Sequence, residues 1–224
     1  MKKIKSVNDF VIRFANVNGS GSASANNLFA KAIFRLGLPV SPKNIFPSNI
    51  QGLPTWYEVR ISEKGYLGCR GGYDLVVAVN GQTLKKDYDN LAAGGYFFYD
   101  ASKMLPDGFD REDVTLIKMP LTEICNQEIE NPRLRPLLKN IVYVGALAGL
   151  LDMDLSVFTD AVVRQFKKKP KLAEPNNRAL ALGFDYAAKY FKGLCGLSVE
   201  KKSCLTHEIL MDGNSATALG AIYG

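Results

Sequence analysis

The sequence predicts an α/β fold: a three-layer α/β/α sandwich around a mostly parallel or mixed sheet, with a Rossmann-like first β-turn-α unit and a helical C-terminal part. Three observations carry this reading. Strand-like runs alternate with helical patterns through the first 120 residues, as in strands joined by crossovers. Asp74-Leu-Val-Val-Ala-Val-Asn80 is a continuous β-branched run, the pattern of a strand buried on both faces. From about Arg133 the apolar spacing becomes helical.

In the first strand, Phe10, Ile12 and Phe14 alternate with Val11, Arg13 and Ala15. The turn Asn18-Gly19-Ser20-Gly21-Ser22 has almost no side-chain bulk and its glycines admit positive φ. From Ser24 onward Leu28, Phe29, Ala32, Ile33 and Leu36 recur at helical spacing, and Gly37 with Pro39 stops the helix. Leu38 to Thr55 carries four prolines and reads as an ordered but irregular connection. Trp56 to Ser62 alternates and reads as a half-exposed strand, with Tyr57, Val59 and Ile61 inward and Glu58, Arg60 and Ser62 outward. Gly81 to Leu91 suggests a helical turn, and Gly94–Asp100 and Asp113–Pro120 two short strands. Leu134, Leu138, Ile141, Val144 and Leu147 belong to a broad apolar helix face on which Gly145, Ala146 and Gly149 permit close packing. Leu155–Lys169 and Asn177–Phe191 read as further amphipathic helices. Asp212 to Gly224 reads as the opening of another element, cut short in apolar sequence.

The 224 residues suit one large α/β domain, or one domain plus a fragment of another. A 47% hydrophobic and 22% charged composition is that of a soluble globular protein. The net charge of +6 is concentrated partly in Lys167-Lys168-Lys169-Pro170-Lys171. That run reads as a solvated helix end, with an anionic partner or ligand as the alternative. No recognised module or aromatic-interleaved basic stripe accompanies it, which argues against nucleic acid. Cys69, Cys125, Cys195 and Cys204 form no CxxC pair, and His207 is the single histidine, so no metal site is expected in this chain. Met1-Lys-Lys-Ile-Lys-Ser6 lacks the apolar core of a signal peptide, and the apolar stretch from Ile141 to Leu151 is too short to span a bilayer. A cytoplasmic protein with reduced thiols and no membrane contact is expected.

A small-residue turn opening a helix aims free backbone N–H groups outward, which suits a phosphate. Gly19-x-Gly21-x-x-Ser24 holds two of the three glycines of the dinucleotide fingerprint. The acidic residue expected some 20 positions on is missing, since that region reads Pro39-Val-Ser-Pro-Lys43. No Gly-Lys-Ser/Thr follows, which excludes a P-loop. A phosphate or pyrophosphate ligand other than NAD and a purely structural tight turn both stay open. Cys69 beside Arg70 suggests a thiol of lowered pKa or a bland cysteine, and Arg60 a ligand arginine or a solvated side chain. No complete catalytic constellation is present, so no catalytic residue is assigned.

Asn18-Gly-Ser-Gly-Ser-Ala-Ser-Ala-Asn-Asn27, Lys43-Asn-Ile-Phe-Pro-Ser-Asn-Ile-Gln-Gly-Leu-Pro-Thr-Trp56 and Val59-Arg-Ile-Ser62 together resemble one domain family. It is the gamma, or swivelling, domain of the 2-oxoacid:ferredoxin oxidoreductase alpha subunit, in particular of the 2-oxoglutarate (2-ketoglutarate) type. Asp74–Asn80, Lys139-Asn-Ile-Val-Tyr-Val-Gly145 and Arg164-Gln-Phe-Lys167 agree with it, and Gly213-Asn-Ser-Ala-Thr-Ala-Leu-Gly220 is similar to the start of the following pyrimidine-binding domain. The resemblance implies a gamma-type domain at residues 1–211 and the opening of a thiamine diphosphate domain at 212–224. It implies CoA-dependent oxidative decarboxylation of a 2-oxoacid to an acyl-CoA, with electrons passing to ferredoxin. Thiamine diphosphate and 4Fe-4S clusters would sit on the remaining alpha-subunit domains and the beta subunit, not on this chain alone, which is then inactive by itself. CoA would contact Gly19, Ser20, Gly21 and Ser22, and by motif position Ser48, Asn49, Gln51 and Arg60. Ser22 and Ser24 stand where many members of the family carry glycine. The rival readings are a stand-alone phosphate- or nucleotide-binding module without redox activity, and a structural assembly subunit whose turn binds nothing.

Overall fold

The computed structural model describes residues 3–46, 52–68, 71–205 and 207–224. Its elements run β1 (Ser6–Val7), β2 (Asp9–Val17), α1 (Ser22–Arg35), β3 (Val40–Ile45), β4 (Pro54–Ser62), β5 (Tyr73–Ala78), α2 (Leu84–Asp89), β6 (Leu91–Asp100) and β7 (Thr115–Met119). They continue α3 (Leu121–Glu128), α4 (Arg135–Leu150), α5 (Leu155–Gln165), a 3-10 turn at Pro170–Leu172, α6 (Ala173–Tyr190), β8 (Leu197–Ser198) and α7 (Gly213–Tyr223). Six strands form one sheet in the order β3-β4-β2-β5-β6-β7. Strands β2, β5, β6 and β7 are parallel, while β4 runs antiparallel to both β2 and β3. The short strands β1 and β8 pair separately, in parallel.

The sheet is flanked by helices, as the sequence predicts, but the two flanking layers are unequal. On one face Phe10, Ile12, Phe14, Val59, Leu75 and Phe98 pack beneath buried residues of α1, α4, α5 and α6 in one large apolar core. The other face is covered by the six-residue α2 and the loop after β6, around Tyr88, Phe97 and Phe109. Arg111 fastens that loop, donating from Nη1 to the carbonyls of Tyr88 (3.1 Å) and Leu91 (3.3 Å).

Two expectations need correction, and one helix, α3, has no counterpart among the expectations. The connection from Leu38 to Thr55 contains β3, whose residues Val40 to Ile45 pair with β4 despite Pro42. That proline is tolerated because β3 is an edge strand. Strand β4 is not half-exposed: Glu58, Arg60 and Ser62 are all buried. Its polar face reads as solvated from alternation alone, but its charges are matched by others from neighbouring strands. Helix α3 follows β7 directly and its short polar pattern gives little apolar periodicity to detect.

The matched charges centre on Arg13, which lies opposite Glu58 in register. Its guanidinium is sandwiched by the rings of Trp56 and Tyr73, 4.9 and 4.6 Å from their centroids. Arg13 Nε lies 4.0 Å from Glu58 and 3.9 Å from Asp87. Trp56 Nε1 donates to Asp87 Oδ1 at 2.8 Å, and Tyr73 donates to Glu58 at 2.7 Å. Asp87 is fully buried, and burial raises its pKa against the opposing pull of Trp56 and Arg13. A carboxyl whose folded pKa is raised holds its proton more tightly when folded, so stability falls as pH climbs from the ordinary value of 3.8 through the folded one. Asp87→Asn keeps an acceptor for Trp56 and removes the titration. Urea unfolding at pH 4 to 7 is expected to show the wild type losing more stability with rising pH than the variant. Parallel curves would contradict this.

Candidate functional site

Strands β2 and β5 lie side by side in parallel, Ala15 opposite Ala78, so their carboxyl ends release the chain together at Asn18 and Asn80. Open α/β sheets bind ligands beyond such carboxyl ends. The glycine turn occupies this position. Asn18 N donates to Leu53 O at 2.9 Å, Gly19 N to Asn18 Oδ1 at 3.0 Å, and Ser20 N to Val17 O at 3.3 Å. Gly19 and Gly21 both take left-handed backbone, with φ of 83° and 79°. They differ in surroundings: a Cβ on Gly19 would meet nothing within 4 Å, whereas one on Gly21 would lie 2.6 Å from Leu137 Cδ2 of α4. Gly19 therefore serves backbone conformation beneath open space, and Gly21 also serves close approach to a helix.

No side chain caps α1. Its first-turn amides, lacking intrahelical partners, are available as donors to a group above the turn. Behind the turn lies a carboxamide network. Asn140 of α4 donates to Ser20 O at 2.9 Å, pinning the turn to the helix. Asn26 donates to Asn16 Oδ1 at 3.0 Å, Tyr143 donates to Asn26 Oδ1 at 2.7 Å, and Asn80 donates to Asn16 O at 3.2 Å. Burial pushes the Tyr143 phenol up, so its hydroxyl remains a donor. Among the described residues Asn16 Nδ2 and Ser20 Oγ are buried atoms without a hydrogen-bond partner. Further along the carboxyl edge, Asp100 at the end of β6 lies 3.6 Å from Lys139 Nζ. Burial acts to raise its pKa, but donors from Thr122 and Ser102 and the Lys139 charge together hold the carboxyl below its ordinary value.

The structure thus brings Gly19, Ser20, Gly21 and Ser22 together at the carboxyl edge. Arg60 is not brought to them. It pairs in register with Val11, six residues before Val17 at the turn, or about 20 Å along the strand. Its guanidinium donates to Phe10 O (3.3 Å) and Ile61 O (2.6 Å) and pairs with Asp9, so it is neither a solvated side chain nor a free ligand arginine. Ser48, Asn49 and Gln51 lie outside the described residues, as do Cys69 and Arg70. Sequence reasoning missed Asn16, Asn26, Asn140 and Tyr143. For Asn16 and Asn140 the available signal was a polar carboxamide inside a largely apolar run.

Burial drives the Cys125 thiol up to about 11 and the Cys195 thiol up to about 12, the opposite of a metal-ligating thiolate. Among the described residues no group of three or more His, Cys, Asp or Glu side chains could hold a metal ion. Among the described residues the donor set does not fit an iron–sulfur cluster. Among the described residues no helix is long and apolar enough to cross a membrane.

An open α/β sheet with an uncapped glycine turn at its carboxyl edge is an arrangement suited to an anionic group. Residues 11–186 match the family described as pyruvate ferredoxin/flavodoxin oxidoreductase, and the chain belongs to that family. It is 23% identical to the alpha subunit of 2-oxoacid:ferredoxin oxidoreductase 1 from Aeropyrum pernix, over 96% of this chain and 40% of that relative. A 2-oxoglutarate:ferredoxin oxidoreductase from Magnetococcus marinus, solved with 2-oxoglutarate, coenzyme A and succinyl-CoA bound, superposes with a TM-score of 0.83 at 28% identity. That match covers 96% of this chain and 37% of the other. The gamma subunit of a keto/oxoacid ferredoxin oxidoreductase from Geobacter sulfurreducens shares the fold, with a TM-score of 0.65 at 21% identity over 80% of this chain and 99% of that subunit. The chain therefore spans well under half the length of the larger relatives it matches.

Proposed function

We propose that this chain is the gamma-type portion of a 2-oxoacid:ferredoxin oxidoreductase alpha subunit, with 2-oxoglutarate as the 2-oxoacid, and that its glycine turn holds a phosphate of CoA. The observation that carries the reading is the uncapped N-terminus of α1 at Gly21, open above Gly19, in a chain similar to a CoA-bound oxidoreductase. Gly19 to Ser22 frame the phosphate site, the first-turn amides of α1 supply its backbone donors, and Asn140 keeps the turn in place. Residues 1–211 form the gamma-type domain. Helix α7 is exposed along its length, which supports assigning 212–224 to a following pyrimidine-binding domain. Thiamine diphosphate and 4Fe-4S clusters belong to the rest of a cytoplasmic complex that includes the beta subunit and delivers electrons to ferredoxin. In that complex this domain binds CoA and helps to close the active site. A stand-alone module is not favoured, because the relatives are oxidoreductase subunits.

Ser24→Asp separates binding from packing. Ser24 is exposed in the first turn of α1, where a carboxylate favours the helix by about 0.3–1 kcal/mol. The same carboxylate repels a phosphate. Calorimetric titration with CoA is expected to show binding by the wild type and at least about ten-fold weaker binding by the variant, with an equal or higher melting temperature. No heat with the wild type, or unchanged affinity in the variant, would leave the turn a packing device.

A further inference from the structure

Helices α5 and α7 show the usual way to order a helix start: Asp154 accepts from Ser156 N, and Asp212 accepts from Ser215 N. A cap of that kind consumes one of the free amides of the first turn. No side chain does this at α1. The backbone leading into α1 is also hard to order by local means. Gly19 and Gly21 both take left-handed φ, a region that glycine enters and leaves without steric penalty.

The order comes instead from α4. Asn140 donates to Ser20 O at 2.9 Å, one residue before Gly21. Tyr143, three residues on and about 4.5 Å further along the α4 axis, donates to Asn26 Oδ1 at 2.7 Å. Asn26 donates in turn to Asn16 Oδ1 at 3.0 Å, which ties the residues on either side of the turn across its base. Asn16, Asn26, Asn140 and Tyr143 are all buried. Burial raises the Tyr143 pKa against a smaller opposing pull from Asn16, so the phenol keeps its proton and donates. That donation fixes which way the Asn26 carboxamide faces. Helix α4 thus holds the turn at its apex through Asn140 and at its base through Tyr143.

Exchanging a whole hydrogen-bonded pair for apolar groups of the same shape costs a core little. Core stability alone therefore does not call for three buried carboxamides and a phenol here. The three bonds share a property that a core role leaves unexplained: every donor is a side chain, and none is a backbone N–H of α1. We propose that Tyr143 and Asn26 are positioning residues of the anion site, which with Asn140 let α4 fix the start of α1 while its first-turn amides stay free for a ligand. The inference rests on the reading of the turn as an anion site and assigns the residues that give that site its shape. They act through the backbone they hold.

Two experiments on the 224-residue chain test this, with Tyr143→Phe and Asn140→Leu as variants that each remove one donor at nearly constant shape. The first is amide hydrogen exchange without ligand. Residues 25–28 carry the first amides of α1 that have partners inside the helix. They are expected to exchange about ten-fold faster in each variant, while residues 32–35 and α6 keep wild-type rates. The second is calorimetric titration with CoA, which both variants are expected to bind about ten-fold more weakly than the wild type does. Uniform acceleration along α1 would make the network a core contact only and overturn the proposal, as would unchanged exchange at 25–28. A loosened helix start with unchanged CoA affinity would overturn the positioning role. No CoA binding by the wild type, with the local acceleration present, would overturn the CoA reading alone and leave the ordering of α1 by α4 standing.

Discussion

Gly183→Ala is expected to lower the melting temperature by roughly 6–12 °C, the counterpart of about 3 kcal/mol in a chain of this size. Helices α4 and α6 meet through paired glycines. A Cβ on Gly183 would overlap the carbonyl oxygen of Val142 and lie 2.7 Å from Ala146 N. One on Gly145 would overlap the carbonyl oxygen of Leu180. The neighbours are backbone atoms of rigid helices, so no rotamer change relieves the overlap and the helices must separate along a packed interface. The consequence reaches the site, because α4 also carries Leu137 against Gly21 and Asn140 on Ser20. A displaced α4 releases the turn. Calorimetric melting with CoA titration of the folded protein checks both effects, and a variant within about 1 kcal/mol of wild type would refute the contact as the fixed point of the helical layer.

How far the fold was legible follows from which residues faced one environment only. The parallel core strands were readable because β5 is apolar on both sides, and α4 because its glycines interrupt a helical apolar pattern. Strand β4 misled because alternation reports polarity and not exposure: Glu58 and Arg60 are polar yet buried among partners that come from β2 and β5 or from the backbone. Strand β3 was hidden by prolines whose cost depends on edge position, a property of the assembled sheet. At the site, the turn was visible because its glycines are local. Its support was not, since Asn16, Asn26, Asn140 and Tyr143 converge from positions up to 127 apart, and an isolated carboxamide in sequence carries no sign of its partner.

Arg13→Ala is expected to cost about 3–5 kcal/mol, the loss typical when one member of a buried charge cluster is removed. Arg13 is only 8% exposed and stands between Asp87, which is fully buried, and Glu58. Truncation withdraws the cation from both carboxylates and the planar contact from Trp56 and Tyr73. Burial already raises the Asp87 pKa, so without Arg13 the carboxyl moves further toward its neutral form. Arg13→Met/Asp87→Asn retains most of the volume, removes one charge of each sign, and is expected to recover a substantial part of the loss. Urea titration of the two variants distinguishes charge from packing: equal destabilisation in both would assign the effect to lost shape alone. CoA affinity of the folded Arg13→Ala protein is expected to stay within about three-fold of wild type, within the scatter of independent sites. Arg13 faces the side of the sheet opposite α1, whereas the turn is pinned from α4. The charge cluster holds the sheet together from the face opposite the helices that position the turn.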